Sequence, residues 1–207
     1  MKVTGPMFSL EASGTIGGAI TASKWKGRPY FRIHTIPANP KSGAQKGQRA
    51  MMSFLSKNWA GLSAPQKASW EDDAAQLAIS PFNSWIRVNM NRWTNFLPPS
   101  PDGDYGAVGT PGTVSAFTAT PGVRLAQLSI TLSAAADNFG VVFFRNTVDS
   151  FTPTKSDVIA VRLLADTNEL IHIDTPLDAG TYYYTYRLFT NDGLLDAAAA
   201  DVEAIVT

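Results

Sequence analysis

The 207-residue chain contains no cysteine, which excludes disulfides, thiolate metal centres and a cysteine nucleophile. It has only two histidines, His34 and His172. Neither has a second histidine or a carboxylate at a metal-ligand spacing, so both read as structural or surface residues. Apolar residues nowhere run together for the roughly 18 positions of a membrane-crossing helix. The opening Met1-Lys2-Val3-Thr4-Gly5-Pro6 lacks the apolar stretch of a signal peptide, so a soluble chain that bypasses the secretory translocon is expected. Net charge is missing too, since 17 Lys+Arg balance 17 Asp+Glu. The 44% of hydrophobic residues is nevertheless ample for a buried core, and disorder is excluded.

The zero charge conceals an asymmetry. Residues 1–96 hold 12 Lys+Arg against 4 Asp+Glu, whereas residues 97–207 hold 5 against 13. All five tryptophans (Trp25, Trp59, Trp70, Trp85, Trp93) lie in the basic half. Composition and charge thus change together, which signals a domain boundary. The expected organisation is a basic strand-and-helix domain (1–96), a Pro/Gly-rich linker (97–112) and an all-β domain (113–207).

The first 40 residues are rich in turn formers, including the cluster Ser13-Gly14-Thr15-Ile16-Gly17-Gly18. Ala19 to Trp25 and Pro29 to Thr35 alternate side-chain types around Lys26-Gly27-Arg28, the pattern of a β-hairpin with Gly27 supplying a positive φ. Alternation puts Tyr30, Arg32 and His34 on one face and Phe31 and Ile33 on the other. Ile36-Pro37-Ala38-Asn39-Pro40 is expected to be a stiff extended strap.

From Gly43 the period becomes helical, with Ala50, Met51, Phe54, Leu55, Asn58 and Trp59 on one stripe. A second helix is expected after Leu62, with Ser63 and Gln66 as a capping box and Pro65 in its first turn; it carries Trp70 and Leu77. A third follows Ser80-Pro81, with Phe82, Trp85, Ile86, Asn89 and Trp93 on one face. Beyond the Pro98-Pro99-Ser100-Pro101-Asp102-Gly103 stretch the pattern is all strand. Seven candidates run over Thr113–Thr120, Arg124–Ser133, Gly140–Arg145, Val158–Leu164, Glu169–Asp174, Thr181–Phe189 and Val202–Val206. Seven short strands at this spacing indicate a two-sheet sandwich, and the fold class is α+β.

Catalytic constellations are weak. Glu71-Asp72-Asp73 are consecutive, so on a helix they point apart, and acids early in a helix complement its dipole. Gly14-Thr15-Ile16-Gly17-Gly18 is followed by no Gly-Lys-Ser/Thr, so it is not a phosphate loop. Asp102, Asp104, Asp137 and Asp149 do not form an EF-hand series. No enzyme, metal site or cofactor is expected. The strongest feature is the run Lys24, Lys26, Arg28, Arg32, Lys41, Lys46 and Arg49 interleaved with Trp25, Tyr30 and Phe31. It suits a protein-docking surface. It also suits a solvated basic face over aromatic core residues, or phosphates and stacked bases of nucleic acid.

Two resemblances add to this reading. Leu177-Asp178-Ala179-Gly180-Thr181-Tyr182-Tyr183-Tyr184 resembles the entrance to strand F of immunoglobulin and fibronectin type III domains. It implies that Tyr182 is a tyrosine-corner residue bonded to nearby backbone and that Tyr184 occupies the position of the antibody-domain cysteine. Met7-Phe8-Ser9-Leu10, Gly14, Gly17-Gly18, Trp25-Lys26-Gly27-Arg28-Pro29-Tyr30-Phe31-Arg32 and Pro37-Ala38-Asn39-Pro40 with Gln45 and Arg49 resemble virion-associated proteins of tailed bacteriophages over about the first 95 residues. That resemblance implies a structural virion protein, made in the host cytoplasm and multimeric in the particle, decorating the capsid or built into the neck or tail. Its partners would be other virion proteins, gripped by Trp25, Lys26, Arg28, Tyr30, Arg32 and Arg49, while the sandwich projects. The alternatives are a carbohydrate or host-receptor module, with Tyr183, Tyr105, Asn146 and Asn191 as contact residues, and a nucleic-acid-binding protein.

Overall fold

A computed structural model describes residues 14–26, 28–36, 39, 42–103 and 109–207. The chain divides into two compact units, Met1–Pro40 and Lys41–Thr207, termed the arm and the body.

The arm is an antiparallel sheet of β1 (Gly14–Ile16), β2 (Ile20–Trp25) and β3 (Arg28–Ile33), in that order. The glycine cluster is part strand and part turn, with Gly17 and Gly18 at φ +55° and +71° between β1 and β2. The β2–β3 hairpin forms where expected, and pairing of Trp25 with Arg28 closes it. Lys26 itself takes a positive φ of 47°, as a primed hairpin turn requires. Gly27, and Pro37, Ala38 and Pro40 of the expected strap, lie outside the described residues.

In the body, α1 (Gly43–Asn58) leads through a 3-10 turn at Trp59–Gly61 into α2 (Ala64–Ala68), α3 (Glu71–Leu77) and α4 (Pro81–Thr94). The Ser63 capping box is formed. Gln66 N donates to Ser63 Oγ at 3.4 Å and Ser63 N to Gln66 Oε1 at 2.9 Å. Ser80 caps α4 by accepting from Asn83 N at 3.2 Å. The second helix expected from the sequence is two, because the chain turns at Trp70 (φ −96°), whose buried indole donates to Pro101 O at 3.0 Å.

The seven strands follow as β4 (Thr113–Gly122), β5 (Leu125–Ala134), β6 (Asn138–Asn146), β7 (Val158–Leu163), β8 (Leu170–Asp174), β9 (Gly180–Thr190) and β10 (Val202–Val206). They form two antiparallel sheets, β4-β5-β8 and β10-β9-β6-β7. One core lies between them, filled by Leu128, Ile130 and Leu132 of β5 with Val141 and Phe143 of β6 and Tyr184 and Leu188 of β9. A second core lies on the other face of the four-stranded sheet. There Val142 and Phe144 of β6, Val161 of β7 and Phe189 of β9 meet Met51, Phe54, Leu55, Trp85 and Trp93 of the helices. The body therefore has three layers: helices, four strands, three strands.

The boundary expected after residue 96 separates secondary-structure types but not compact units. Phe54 packs edge-on against Phe139 and Phe189 at 5.4 and 5.6 Å, and Phe96 bridges Trp93 to Phe144 at 5.6 and 6.1 Å. A fully buried aromatic side chain removes about 150–250 Å² from water, or about 4–6 kcal/mol of transfer free energy each before chain entropy. The helices are thereby bound to the sheet. The expected linker is likewise a strap at its start. Residues 98–101 are buried, and Ser100 is held by an amide pair, Asn89 Nδ2 to Ser100 O at 3.1 Å and Ser100 N to Asn89 Oδ1 at 2.9 Å. Trp85 Nε1 donates to the same carbonyl at 3.0 Å, and Ser100 Oγ donates to Asn191 O at 2.6 Å. Tryptophan and asparagine side chains thus satisfy backbone groups that the prolines leave without a ladder.

Close approach of α1 to the sheet depends on two glycines one turn apart. A Cβ on Gly43 would collide with Ser156 O, and one on Gly47 would lie 2.8 Å from Lys155 O.

Gly43→Ala should lower stability by about 1–3 kcal/mol, the range of overpacked sites, although alanine is the better helix former by about 1 kcal/mol. A stability equal to or above the parent in urea titration would contradict the close packing. Asn89→Ala strands the buried Ser100 N–H and should cost about 2 kcal/mol. Tryptophan fluorescence and the β signal in circular dichroism should then shift together in a single transition; separate transitions would show the helices and sandwich to be independent.

Candidate docking interface

The arm's register sorts its side chains by face. Ile20 pairs with Ile33 and Ala22 with Phe31 on one face, Thr21 with Arg32 and Ser23 with Tyr30 on the other. Of these, Ala22 alone is buried. The apolar face stays open to water, with Phe31 at 53% and Ile33 at 79% exposure. On the other face Trp25 is 65% exposed, and the Lys26 ammonium lies 4.9 Å from its ring centroid, a cation–π contact. A polar seam runs beside it. The Thr15 and Thr21 hydroxyls are 3.3 Å apart, Thr21 Oγ1 is 3.2 Å from His34 Nδ1, and His34 N donates to Ala19 O at 2.7 Å. His34 is therefore part of the hairpin's own bonding.

Trp25, Lys26, Tyr30 and Arg32 are brought together on this one small sheet. Arg28 belongs to it by backbone pairing with Trp25. The sixth expected contact residue, Arg49, is on α1 and belongs to the body. Residues 14–36 contain four lysines and arginines and no Asp or Glu. Among the described residues β3 is an edge strand of the order β1-β2-β3, a geometry that can accept an added strand.

Tyr182 and Tyr184 are structural. Tyr182 Oη donates to Asp178 O at 3.0 Å, the backbone bond expected of a tyrosine corner. Tyr184 is fully buried between the sheets, and its hydroxyl donates to Asp174 Oδ2 at 3.1 Å. Arg145 Nη1 reaches the same oxygen at 2.6 Å, with its guanidinium 5.4 Å from the Tyr182 ring centroid. Burial, reinforced by the Asp174 charge, pushes the Tyr184 hydroxyl far above its ordinary pKa, so it remains a donor. Nothing in the spacing of Arg145, Asp174 and Tyr184 announces this cluster, because the sandwich topology assembles it.

His172 stacks on Phe143, with ring centroids 5.7 Å apart and planes 15° from parallel. Arg162 Nη2 lies 3.2 Å from its Nδ1. Arginine only donates, so Nδ1 accepts and the ring carries its proton on Nε2. Burial, followed by repulsion from Arg162, lowers its pKa to about 4 despite the attraction of Asp174. Among the described residues no three His, Asp or Glu side chains converge to hold a metal ion. Glu71, Asp72 and Asp73 occupy the first turn of α3 and are exposed. No helix among the described residues is long and apolar enough to cross a membrane.

The chain matches no protein-family model and no curated protein. Among solved structures it is similar to a β-1,2-glucanase from Parabacteroides distasonis, at 17% identity and a TM-score of 0.32 over 47% of this chain and 14% of that one. A PKD domain of an M14-like peptidase from a Thermoplasmatales archaeon is similar at 13% identity and a TM-score of 0.33, over 48% of this chain and 98% of the domain. A CARDB domain from Pyrococcus furiosus, solved with two metal ions, is similar at 12% identity and a TM-score of 0.31, over 49% and 95%.

Because the folded state resists protonating His172, stability is full above the unfolded pKa of about 6.5 and falls as pH drops from there toward 4. His172→Asn should remove this component, so the gap in urea midpoint between parent and variant narrows between pH 6.5 and 4. An NMR titration placing the His172 midpoint near 6.5 would refute the buried neutral ring.

Proposed function

We propose that the chain is a non-enzymatic structural protein of a tailed-phage particle. It docks through the arm onto a neighbouring virion protein and carries a rigid body of helices and an immunoglobulin-like sandwich. The observation that carries this reading is the arm, a separate compact unit whose Trp25, Tyr30, Phe31 and Ile33 are exposed. Small sheets need a hydrophobic face packed on something to be stable in water. Tryptophan, tyrosine and arginine are the residue types that dominate binding energy at protein interfaces. Trp25, Tyr30 and Arg32 share the polar face, and among the described residues Phe31 and Ile33 of the apolar face are exposed.

The sequence resemblance to phage virion proteins centres on this same hairpin, Trp25-Lys26-Gly27-Arg28-Pro29-Tyr30-Phe31-Arg32. The immunoglobulin-like assignment draws on the two-sheet strand order and on the Tyr182 corner. Anchoring is assigned to the arm alone, because α1 to α4 share a core with the sandwich. The partner surface would be acidic with apolar pockets, matching the arm's excess of cations.

The test is incorporation. Arg28→Glu with Arg32→Glu should reduce the chain's copy number in purified particles at least 10-fold, with the urea midpoint of the full-length chain unchanged. Normal incorporation of the double variant would sink the assignment. Loss of a salt-sensitive DNA mobility shift in the same variant would instead favour nucleic acid as the arm's partner.

A further inference from the structure

The helices cover the four-stranded sheet over Val142, Phe144 and Val161, but among the described residues the same face is open toward β10. Register sets Glu203 beside Tyr183 and Ile205 beside Thr181, and cross-strand partners share a face. Glu203 is exposed, Ile205 is 60% exposed, and so, at 61%, is Val148 just after β6. Asp149 and Asp201 lie at the rim of this apolar surface, tied together by Ser150. Its N–H donates to Asp201 Oδ2 at 2.8 Å and its hydroxyl to Asp149 Oδ1 at 3.2 Å. These donors are neutral and cancel no charge, and among the described residues neither aspartate nor Glu203 forms a salt bridge. Desolvation first, then Glu203, Asp149 and Asp201, raises the Tyr183 hydroxyl above its ordinary pKa, so the three carboxylates converge on that ring.

Among the described residues β10 is also an edge strand, in the order β10-β9-β6-β7. Beside it, on the face toward the other sheet, is a cleft of about 310 Å³ lined by Val114, Ala116, Phe117, Ala200 and Val202, among others. The arm offers a counterpart to each of these features. Its β3 is an edge strand with exposed Tyr30 and Arg32 on one face and exposed Phe31 and Ile33 on the other, and residues 14–36 carry cations but no acid. Antiparallel addition of β3 to β10 with Arg32 opposite Glu203 satisfies both faces at once. Tyr30 then stands opposite Ile205 on the charged face, and Ile33 opposite Val202 at the mouth of the apolar cleft. A slip of one residue would turn Arg32 toward the cleft and Ile33 toward the carboxylates.

We propose that β3 of one copy adds to β10 of a neighbouring copy of this chain, with Arg32 paired to Glu203. Self-docking of this kind rests on the arm being the docking element and names its partner. The two surfaces differ, so the contact is heterologous. Each added copy leaves one arm and one β10 free, and assembly continues into a ring or an open chain.

Sedimentation velocity of the full-length chain at low ionic strength should show a mass that rises with concentration past that of a dimer and falls as salt is added. Arg32→Glu and Glu203→Lys should each weaken association by at least about 10-fold, because like charges then face each other. Both side chains are exposed, so the urea midpoints should not move. An equimolar mixture of the two variants should associate again, since the Glu203→Lys chain keeps a native arm and the Arg32→Glu chain a native β10 surface. A parent that is monomeric at every concentration, variants that associate like the parent, or a mixture that stays monomeric, as expected if each arm docks on its own body, would overturn the proposal. Incorporation into particles separates this failure from failure of the arm's docking role. Glu203→Lys entering at the parental copy number while Arg28→Glu with Arg32→Glu does not would leave the arm gripping a different virion protein and end the self-docking alone.

Discussion

Burial of the four-stranded sheet on both faces is the constraint from which the architecture of the body follows. Strand β6 sends Val141 and Phe143 into the core between the sheets and Val142 and Phe144 into the core beneath the helices. A sheet with one polar face could have stood as an ordinary sandwich. This one exposes apolar side chains on two sides and needs a second covering layer. The helices supply it, and Gly43 and Gly47 let α1 lie close against the chain at Lys155 and Ser156. The proline-rich strap follows from the same demand, because its backbone is drawn under Trp70, Trp85 and Asn89 and must find partners there.

The arm is built on the opposite principle. Its strands are fixed by turns, with Gly17, Gly18 and Lys26 at positive φ, and by short polar contacts around Thr21 and His34. Among its described residues Ala22 is the one buried hydrophobic. A unit held by local geometry keeps its large side chains available, which is what a docking element requires. The body, held by long-range packing, instead brings side chains of distant segments together, as at Arg145, Asp174 and Tyr184.

Much of the local structure was legible in the sequence. The seven strands lie within about two residues of where alternation put them, and the Ser63 cap is in place, because caps and alternation depend on neighbours a few residues away. Tyr182 forms its corner for the same reason, bonding four residues back. The proposed contact residues Trp25, Lys26, Tyr30 and Arg32 were legible as a cluster because one hairpin carries them. Arg49 was grouped with them by proximity in sequence, yet it belongs to α1 of the body.

The sequence by itself determined most of the strand and helix segments, where the hairpin folds, and that charge is divided along the chain. These are properties of periods and spacings no longer than a turn or a pleat. Only the tertiary structure decided that the helices and sandwich are one body, that the apparent linker begins as a buried strap, and that Arg145, Asp174 and Tyr184 meet. The hydrophobic effect acts on area without regard to sequence order. The apolar stripe of α1 and the second apolar face of β6 therefore found each other across a composition boundary that seemed to part them.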